Sequence, residues 1–342
     1  MKKNYIPNTW VNAKTHYLKA INDPWYKLLV KLQNLFSVET MKFYQSLNIL
    51  TLHLPVTTGS ISSPMGKGSD SYPVKIQLEG VDTYLADSMQ FLLEYACRLT
   101  DKGVYYIMPS FRGEKADERH LCQFYHSEAE IRGNLEMIME IVENYIKYLS
   151  KEVIKQLGHV IKKMIGDISH IEKVANYKGH FPRITFDDID KRFRKEFTKD
   201  IDKYIEYNDG WRNITSAGEK KVMELYGEIV WITNYDILSV PFYQKTSEDK
   251  RTARNADLLM GIGETVGCGE RHENYLELLE ALKIHEVNAT DYEWYINLKK
   301  YYPLHTSGFG LGTERFFMWI LKCNDIRNMQ LCLRFNGEDI TP

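Results

Sequence analysis

Three short stretches carry residue types that could handle phosphate chemistry. In SFRGEKADERHLCQF, residues 110–124, Arg112, Glu114, Arg119 and His120 crowd around one polar loop. Two strand-like runs, VYYIMPSFRGE and HLCQFYHSEAEIR, flank that loop, so a hairpin would gather all four at its mouth. An arginine fork matches phosphate oxygens two at a time, a carboxylate accepts from an adenine amino group, and Phe124 offers a stacking face. In DLLMGIGE, Asp257 and Glu264 flank a glycine-bearing turn. Two acids so placed could converge on one Mg²⁺ that phosphate oxygens also hold. In GFGLGTER, Gly308, Gly310 and Gly312 would admit a ligand close to the backbone, and Arg315 opens a helix, ready to meet phosphate or lie over a base. The spacing is not the dinucleotide fingerprint, because no acid-terminated βαβ unit surrounds it. Taken singly, each stretch also fits something blander: a solvated charged hairpin, a pair of exposed acids, and a flexible turn before a core helix.

The elements around these stretches follow from periodicity. Residues 1–36 read as an N-terminal helical extension with amphipathic pieces such as WYKLLVKLQNLF. A helix is expected over SVETMKFYQSLNILT, residues 37–51, with Ser37 as its N-cap. TGSISSPMGKGSDSYP, residues 58–73, is a slack connection or a mobile lid. VKIQLEG reads as a strand, DSMQFLLEYACRL as a helix, and Leu135 to about Val174 as one or two long surface helices. Strands resume near FPRITF and EIVWITNY. ADLLMGIGETVGCGER is strand, glycine-rich turn, strand, and helices are expected around 275–300. No repeat period or low-complexity linker cuts the chain, so one α+β domain with antiparallel strands is expected.

Composition narrows the function classes. The 342 residues are 44% apolar, enough for a large core, and the net charge of −2 gives no broad basic footprint for nucleic acid. Cys97, Cys122, Cys268, Cys323 and Cys332 form no CxxC pair, no apolar N-terminal run marks a signal peptide, and no stretch of about eighteen apolar residues suggests a membrane span. A reducing cytoplasm is the expected compartment.

In their order, FRxE…RH…F, DLL…GxGE…R and GFGLGxER resemble motifs 2 and 3 of class II aminoacyl-tRNA synthetases, most closely the asparaginyl branch of the aspartate, asparagine and lysine subgroup. SMQFLLE at 88–94 resembles that branch's SGQLYLE, and WYINLKKYYPLHTSGFGLGTERF at 294–316 is similar to it nearly throughout. The likeness runs over roughly residues 37–325. It implies the class II fold, an antiparallel sheet flanked by helices, in a homodimer with Pro55 at the interface. It implies ATP and Mg²⁺, with Arg112 on the α-phosphate and the reacting carboxylate, Glu114 and Phe124 on adenine, and Arg119 and His120 on the γ-phosphate. Arg315 would close over the ring above Gly310 and Gly312, Asp257 and Glu264 would carry the metal, and Gln90, Arg271 and, less directly, Glu94 would hold the amino acid. Leu93 stands where aspartate-specific relatives place a lysine, which leans toward asparagine.

Several features depart from the charging enzymes. Only about 36 residues precede the core, too few for the anticodon-binding barrel. The loop between Arg112 and Arg119 looks shorter, Gln123 replaces a Glu, the stretch SSPMGKGSD lacks an acidic segment, and Cys268-Gly269-Glu270 departs from GSQ. The leading expectation is therefore a ligase that activates aspartate or a close analogue as its adenylate and passes it to ammonia or a small amine, asparagine synthetase-like. The alternative is a truncated asparaginyl-type enzyme charging tRNA or another carrier. A third is a non-catalytic nucleotide-binding paralogue.

Overall fold

The computed structural model describes residues 5–62, 67 and 71–341. Part of the Gly-, Ser- and Pro-rich stretch expected as a connection or lid, residues 63–66 and 68–70, lies outside the described residues.

After a short helix α1 (His16–Ala20), helix α2 runs from Pro24–Ser46 as one piece. Asp23 caps it, accepting from Trp25 N at 2.8 Å, and Pro24 occupies the first turn, where a missing N–H costs nothing. This corrects the expected start at Ser37 and places the expected 36/37 boundary inside a helix. Leu28, Leu32, Leu35, Phe36, Phe43 and Tyr44 continue one buried face across it, and the Ser37 hydroxyl merely donates to Gln33 O at 3.0 Å.

The centre of the molecule is an eight-stranded sheet in the order β1-β5-β6-β13-β12-β11-β10-β7. Its strands are β1 (Leu50–Thr51), β5 (Gly103–Phe111), β6 (Gln123–Arg132), β7 (Arg183–Thr185), β10 (Ile229–Thr233), β11 (Asn255–Met260), β12 (Gly263–Glu270) and β13 (Thr306–Gly312). Every pairing is antiparallel except those of the two edge strands, β1 with β5 and β7 with β10. Strands β2 (Thr57–Thr58), β3 (Val74–Leu78) and β4 (Val81–Leu85) form a separate small sheet. Helix α3 (Gln90–Cys97) follows it.

One face of the large sheet is mostly apolar. Tyr105, Ala129, Ile131, Phe309, Leu311, Val266, Leu258 and Trp231 join one core with α2, α4 (Leu135–Ile165), α5 (Ser169–Ala175) and α11 (Thr313–Leu321). The opposite face is divided. At one end α3 covers Val104 and Tyr106. At the other, helices α6 (Phe186–Glu196) and α8 (Ser216–Tyr226), with the short α7 (Ile201–Tyr204), cover Val230, Ile232 and Leu259. Helices α9 (Tyr275–Ile284) and α10 (Glu293–Tyr301) build a further apolar cluster beside Phe242. The centre of this face stays open. The sheet flanked by helices agrees with the α+β class II architecture expected from the sequence. Between β7 and β10 the structure adds the helices and a hairpin, β8 (Ile205–Asn208) with β9 (Trp211–Ile214). Asp209-Gly210, with Gly210 at φ 80°, is its turn and the sequence signal for it. No helix among the described residues is long and apolar enough to cross a membrane.

Candidate active site

The open centre is floored by glycine. Side chains alternate along a strand, so when Phe309 and Leu311 enter the core, Gly308, Gly310 and Gly312 must face the other way. GFGLG is thus neither a turn nor a loop but a central strand. Across the β12 pairing Gly267 stands beside Gly310 and Gly269 beside Gly308, giving a bare patch of backbone. On β6 the same face carries His126, Glu128 and Glu130, opposite Gly312, Gly310 and Gly308. A Cβ on Gly308 would stand 1.8 Å from Glu130 Oε2, so that carboxylate occupies the space the glycine leaves.

Over the floor lies a cavity of about 1010 Å³, with a recess of about 90 Å³ beside it. The recess gathers Arg112, Glu114, Arg119, His120, Phe124, Gly310, Gly312 and Arg315 from the β5–β6 mouth and the start of α11. The Arg112 guanidinium lies 5.3 Å from the centre of the Phe124 ring. Asp117 ties the loop by accepting from the backbone N–H groups of Arg119 and His120, each at 2.7 Å. Glu114 accepts from Tyr72 N at 3.2 Å. Arg315 folds back over Gly312 and donates to Glu264 O at 2.6 Å. Arg119 donates through one amino group to Glu219 at 2.7 Å. Its Nε and second amino group, with Arg112 Nε, are buried donors lacking a protein partner. Such donors are costly unless something accepts from them. The phosphate oxygens of ATP fit that need.

Asp257 and Glu264 meet over Gly267, where an added Cβ would lie 3.5 Å from Asp257 Oδ1 and 3.0 Å from Glu264 Oε1. Burial, reinforced by the Glu264 carboxylate, lifts Asp257 well above the usual carboxylate range. A cation there would relieve the repulsion. No group of three or more His, Cys, Asp or Glu side chains among the described residues could hold a metal. Two acids with the remaining positions left to phosphate and water suit Mg²⁺, which keeps several waters.

The end of the cavity expected to take the amino acid is built around Arg271, 2% exposed. Its Nε donates to Glu130 at 3.2 and 3.3 Å and one amino group at 3.1 Å, while the other donates to Gln244 Oε1 at 3.1 Å. Burial pulls the guanidinium pKa down, but the Glu130 and Glu94 carboxylates together hold it above its ordinary value. Gln90 lines the same cavity, with its Nε2 buried and unpartnered. Glu94, expected in the pocket, does not line the cavity and is fully buried between α3 and α10, paired with Lys299 and accepting from Tyr295 at 2.5 Å. Residues 90 and 94 share a helix side, but Lys299 on α10, buried at 0% exposure, requires the carboxylate as its counter-charge. Leu93 packs in the apolar cluster with Met89 and Tyr106 and does not line the cavity.

The profile of the family described as tRNA synthetases class II (D, K and N) matches residues 8–333. The chain belongs to this family. Among its relatives are the asparagine–tRNA ligases of Thermoplasma acidophilum, 33% identical over 273 residues that cover 78% of this chain and 60% of that protein, and of Malacoplasma penetrans, 29% identical over 321 residues covering 89% and 69%. The chain spans about 60% of the first and 55% of a third, from Pyrococcus abyssi. The fold matches asparaginyl-tRNA synthetase from Pyrococcus horikoshii complexed with asparaginyl-adenylate at a TM-score of 0.85 and 23% identity, covering 98% of this chain and 74% of that one. The Entamoeba histolytica asparaginyl-tRNA synthetase complex with asparaginyl-adenylate matches at 0.77 and 24% identity, over 92% and 68%.

Within this class II core the structure also brings in residues that motif reading passes over. Glu128 and Glu130 follow Phe124 at even spacing, so strand parity alone puts them on the site face. Glu128 accepts from Tyr106 OH and from Ser88 Oγ at 2.6 Å. Asp87, buried and raised to about 6 by that burial despite Arg112 nearby, accepts from Ser62 Oγ at 2.9 Å and lines the cavity. Gln244 and Glu219 arrive from segments without a motif; their only signal is spatial.

Proposed function

We propose that this protein condenses asparagine with ATP to asparaginyl adenylate, releasing pyrophosphate, and passes the acyl group to the 3′ end of a tRNA. The Arg271–Glu130 pair carries the choice of amino acid. With the arginine charge matched by a buried carboxylate, the closed end of the cavity offers a donor and an acceptor side by side, which fits a side-chain amide. A second carboxylate on the substrate would meet Glu130 with like charge. The sequence alone ranks aspartate and ammonia first; this pair and the asparagine–tRNA ligase activity of the relatives favour the charging alternative. The short loop between Arg112 and Arg119 still favours a small amine as a second reading.

Chemically, the site works by placement. The substrate carboxylate is already ionised and needs no base. It attacks the α-phosphorus in line, a P–O bond forms, and the bond to pyrophosphate breaks. Arg112 neutralises the charge growing on the α-phosphoryl oxygens, while Arg119 and His120 hold the γ-phosphate and Arg315 fixes the nucleotide from above. Mg²⁺ held by Asp257 and Glu264 would supply further phosphate neutralisation. In the second step a ribose hydroxyl attacks the acyl carbon, the ester forms, the acyl–phosphate bond breaks, and AMP leaves with the electron pair as the hydroxyl proton is lost.

Asparagine-dependent pyrophosphate exchange, followed by product analysis with deacylated tRNA and with ammonia, tests this. Exchange with asparagine and esterified tRNA are expected. Exchange with aspartate and formation of free asparagine would instead establish the second reading.

A further inference from the structure

Phe124, His126, Glu128 and Glu130 follow one another at even spacing along β6 and share its open face. Phe124 marks the nucleotide end and Glu130 the Arg271 end; at about 3.3 Å per residue, His126 stands roughly 7 Å along the strand from the one and about 13 Å from the other. It is opposite Gly312, and it lines both the recess and the main cavity, as Arg112 does. Its ring meets Phe124 edge to face with centroids 4.8 Å apart. Nδ1 lies 2.8 Å from Ser110 Oγ and 3.1 Å from Glu128 Oε1, and Nε2 makes no hydrogen bond among the described residues. Glu128 is fully committed, because its other oxygen accepts from Tyr106 OH and from Ser88 Oγ at 2.6 Å. Burial pushes this carboxyl up, but donation from His126, Ser88 and Tyr106 outweighs burial and holds it below the usual carboxylate range. An ionised Glu128 keeps the ring proton on Nδ1, leaves a lone pair on Nε2 facing the cavity, and would stabilise the ring once Nε2 gains a proton.

We propose that His126 is the catalytic base of the acyl-transfer step, its Nε2 taking the proton of the acceptor hydroxyl as that oxygen attacks the acyl carbon. The inference rests on the RNA-charging reading and supplies the proton acceptor that the second step requires. The C–O bond forms, the acyl–phosphate bond breaks with its electron pair on AMP, and the hydroxyl proton moves to Nε2. The resulting imidazolium stays paired with Glu128 until it releases the proton to water. Adenylation moves no proton, because the attacking carboxylate is already ionised, so His126 acts on the second step. The other ionisable groups facing this space are Arg112 from β5, Glu264 from β12, Glu314 and Arg315 from α11, and Asp87 ahead of α3. The arginines have no lone pair to offer, Glu264 is taken by the proposed metal, and the other two acids are engaged. Glu314 accepts from Tyr125 N at 3.0 and 3.2 Å, and Asp87 from Ser62 Oγ at 2.9 Å. His120, the other imidazole of the cavity, belongs to the β5–β6 loop with its Nδ1 3.1 Å from Asp117, at the end assigned to the γ-phosphate.

The test compares His126→Ala and His126→Asn, the second keeping a donor toward Glu128, with the unaltered protein across pH. Three reactions are followed: asparagine-dependent pyrophosphate exchange, single-turnover transfer from preformed adenylate to tRNA, and trapping of the adenylate by hydroxylamine, a nucleophile that attacks without prior loss of a proton. Transfer to tRNA should fall about 100-fold or more in both variants, while exchange and trapping fall by less than about fivefold. In the unaltered protein transfer should slow toward acid as Nε2 becomes protonated, and that decline should be missing from both variants. Undiminished tRNA transfer in the variants overturns the inference and leaves the charging reading intact, with the adenylate's own phosphoryl oxygen taking the proton. Equal losses of exchange and transfer also overturn it, assigning the ring to nucleotide binding. An acid decline that persists in the variants overturns it as well, assigning the titration to another group such as His120. If the unaltered protein exchanges pyrophosphate but esterifies no tRNA, the charging reading fails, and the base with it.

Discussion

Arg315 shows how much of this site depends on single side chains. It reaches from the first turn of α11 over Gly312, is pulled below its ordinary pKa by burial, and donates to the backbone carbonyl of Glu264. Arg315→Ala should lower pyrophosphate exchange about 100-fold or more, the scale of losing one preorganised charge donor, with the circular dichroism melt little changed. Retained turnover would move the nucleotide elsewhere. In the proposed reading Glu130 sets the preference for asparagine over aspartate. Its burial raises its pKa while Arg271 opposes the rise, so lowering the pH protonates it from a higher starting point than an ordinary carboxylate. A protonated Glu130 no longer repels a substrate carboxylate and leaves the Arg271 charge unmatched. The preference for asparagine over aspartate should therefore narrow as pH falls, and Glu130→Gln should show the narrowed preference at every pH. A pH-independent preference in the unaltered protein would remove Glu130 from this role.

Strand β13 acts as an element rather than as a motif. Its glycines are needed because Glu128 and Glu130 of the neighbouring strand lean across them. Gly308→Ala would place a methyl group 2.7 Å from Ala129 O as well as against Glu130, so it should destabilise the fold by about 1–3 kcal/mol and weaken asparagine binding together. Denaturant unfolding and the KM for asparagine would both report it. A neutral Gly308→Ala variant would contradict the tight floor. Strands β5 and β6 are legible in the sequence, because HSEAEIR alternates and a short polar loop joins them, whereas β13 is not, because the glycines of GFGLG read as a turn or a ligand-binding loop rather than as a strand. The helix start at Ser37 is not, because an N-cap residue type inside an unbroken apolar period has no cap to make. Glu94 reads as a pocket residue for a related reason: its partner Lys299 lies 205 positions away. Gln244, held by a single isolated bridge to Arg271, has no period to announce it.

At the scale of the whole molecule, one sheet separates two tasks. Its largely apolar face is buried by long helices, and its other face is open in the middle, where the proposed reading places nucleotide, metal and amino acid in one cavity. Near the β1 edge, Met41, Leu50 and Val56 are exposed apolar side chains beside the exposed Pro55, and the family resemblance implies a second copy there. Sedimentation should give twice the 40.1 kDa chain mass, and Leu50→Lys should shift it toward one copy; a monomer at micromolar concentration would contradict that assembly. Every step proposed for this site depends on adenylate formation. The most direct test is pyrophosphate exchange with ATP and Mg²⁺ across the amino acids. Exchange that requires asparagine and collapses in the Asp257→Asn variant is the predicted result, and no exchange with any amino acid would contradict it.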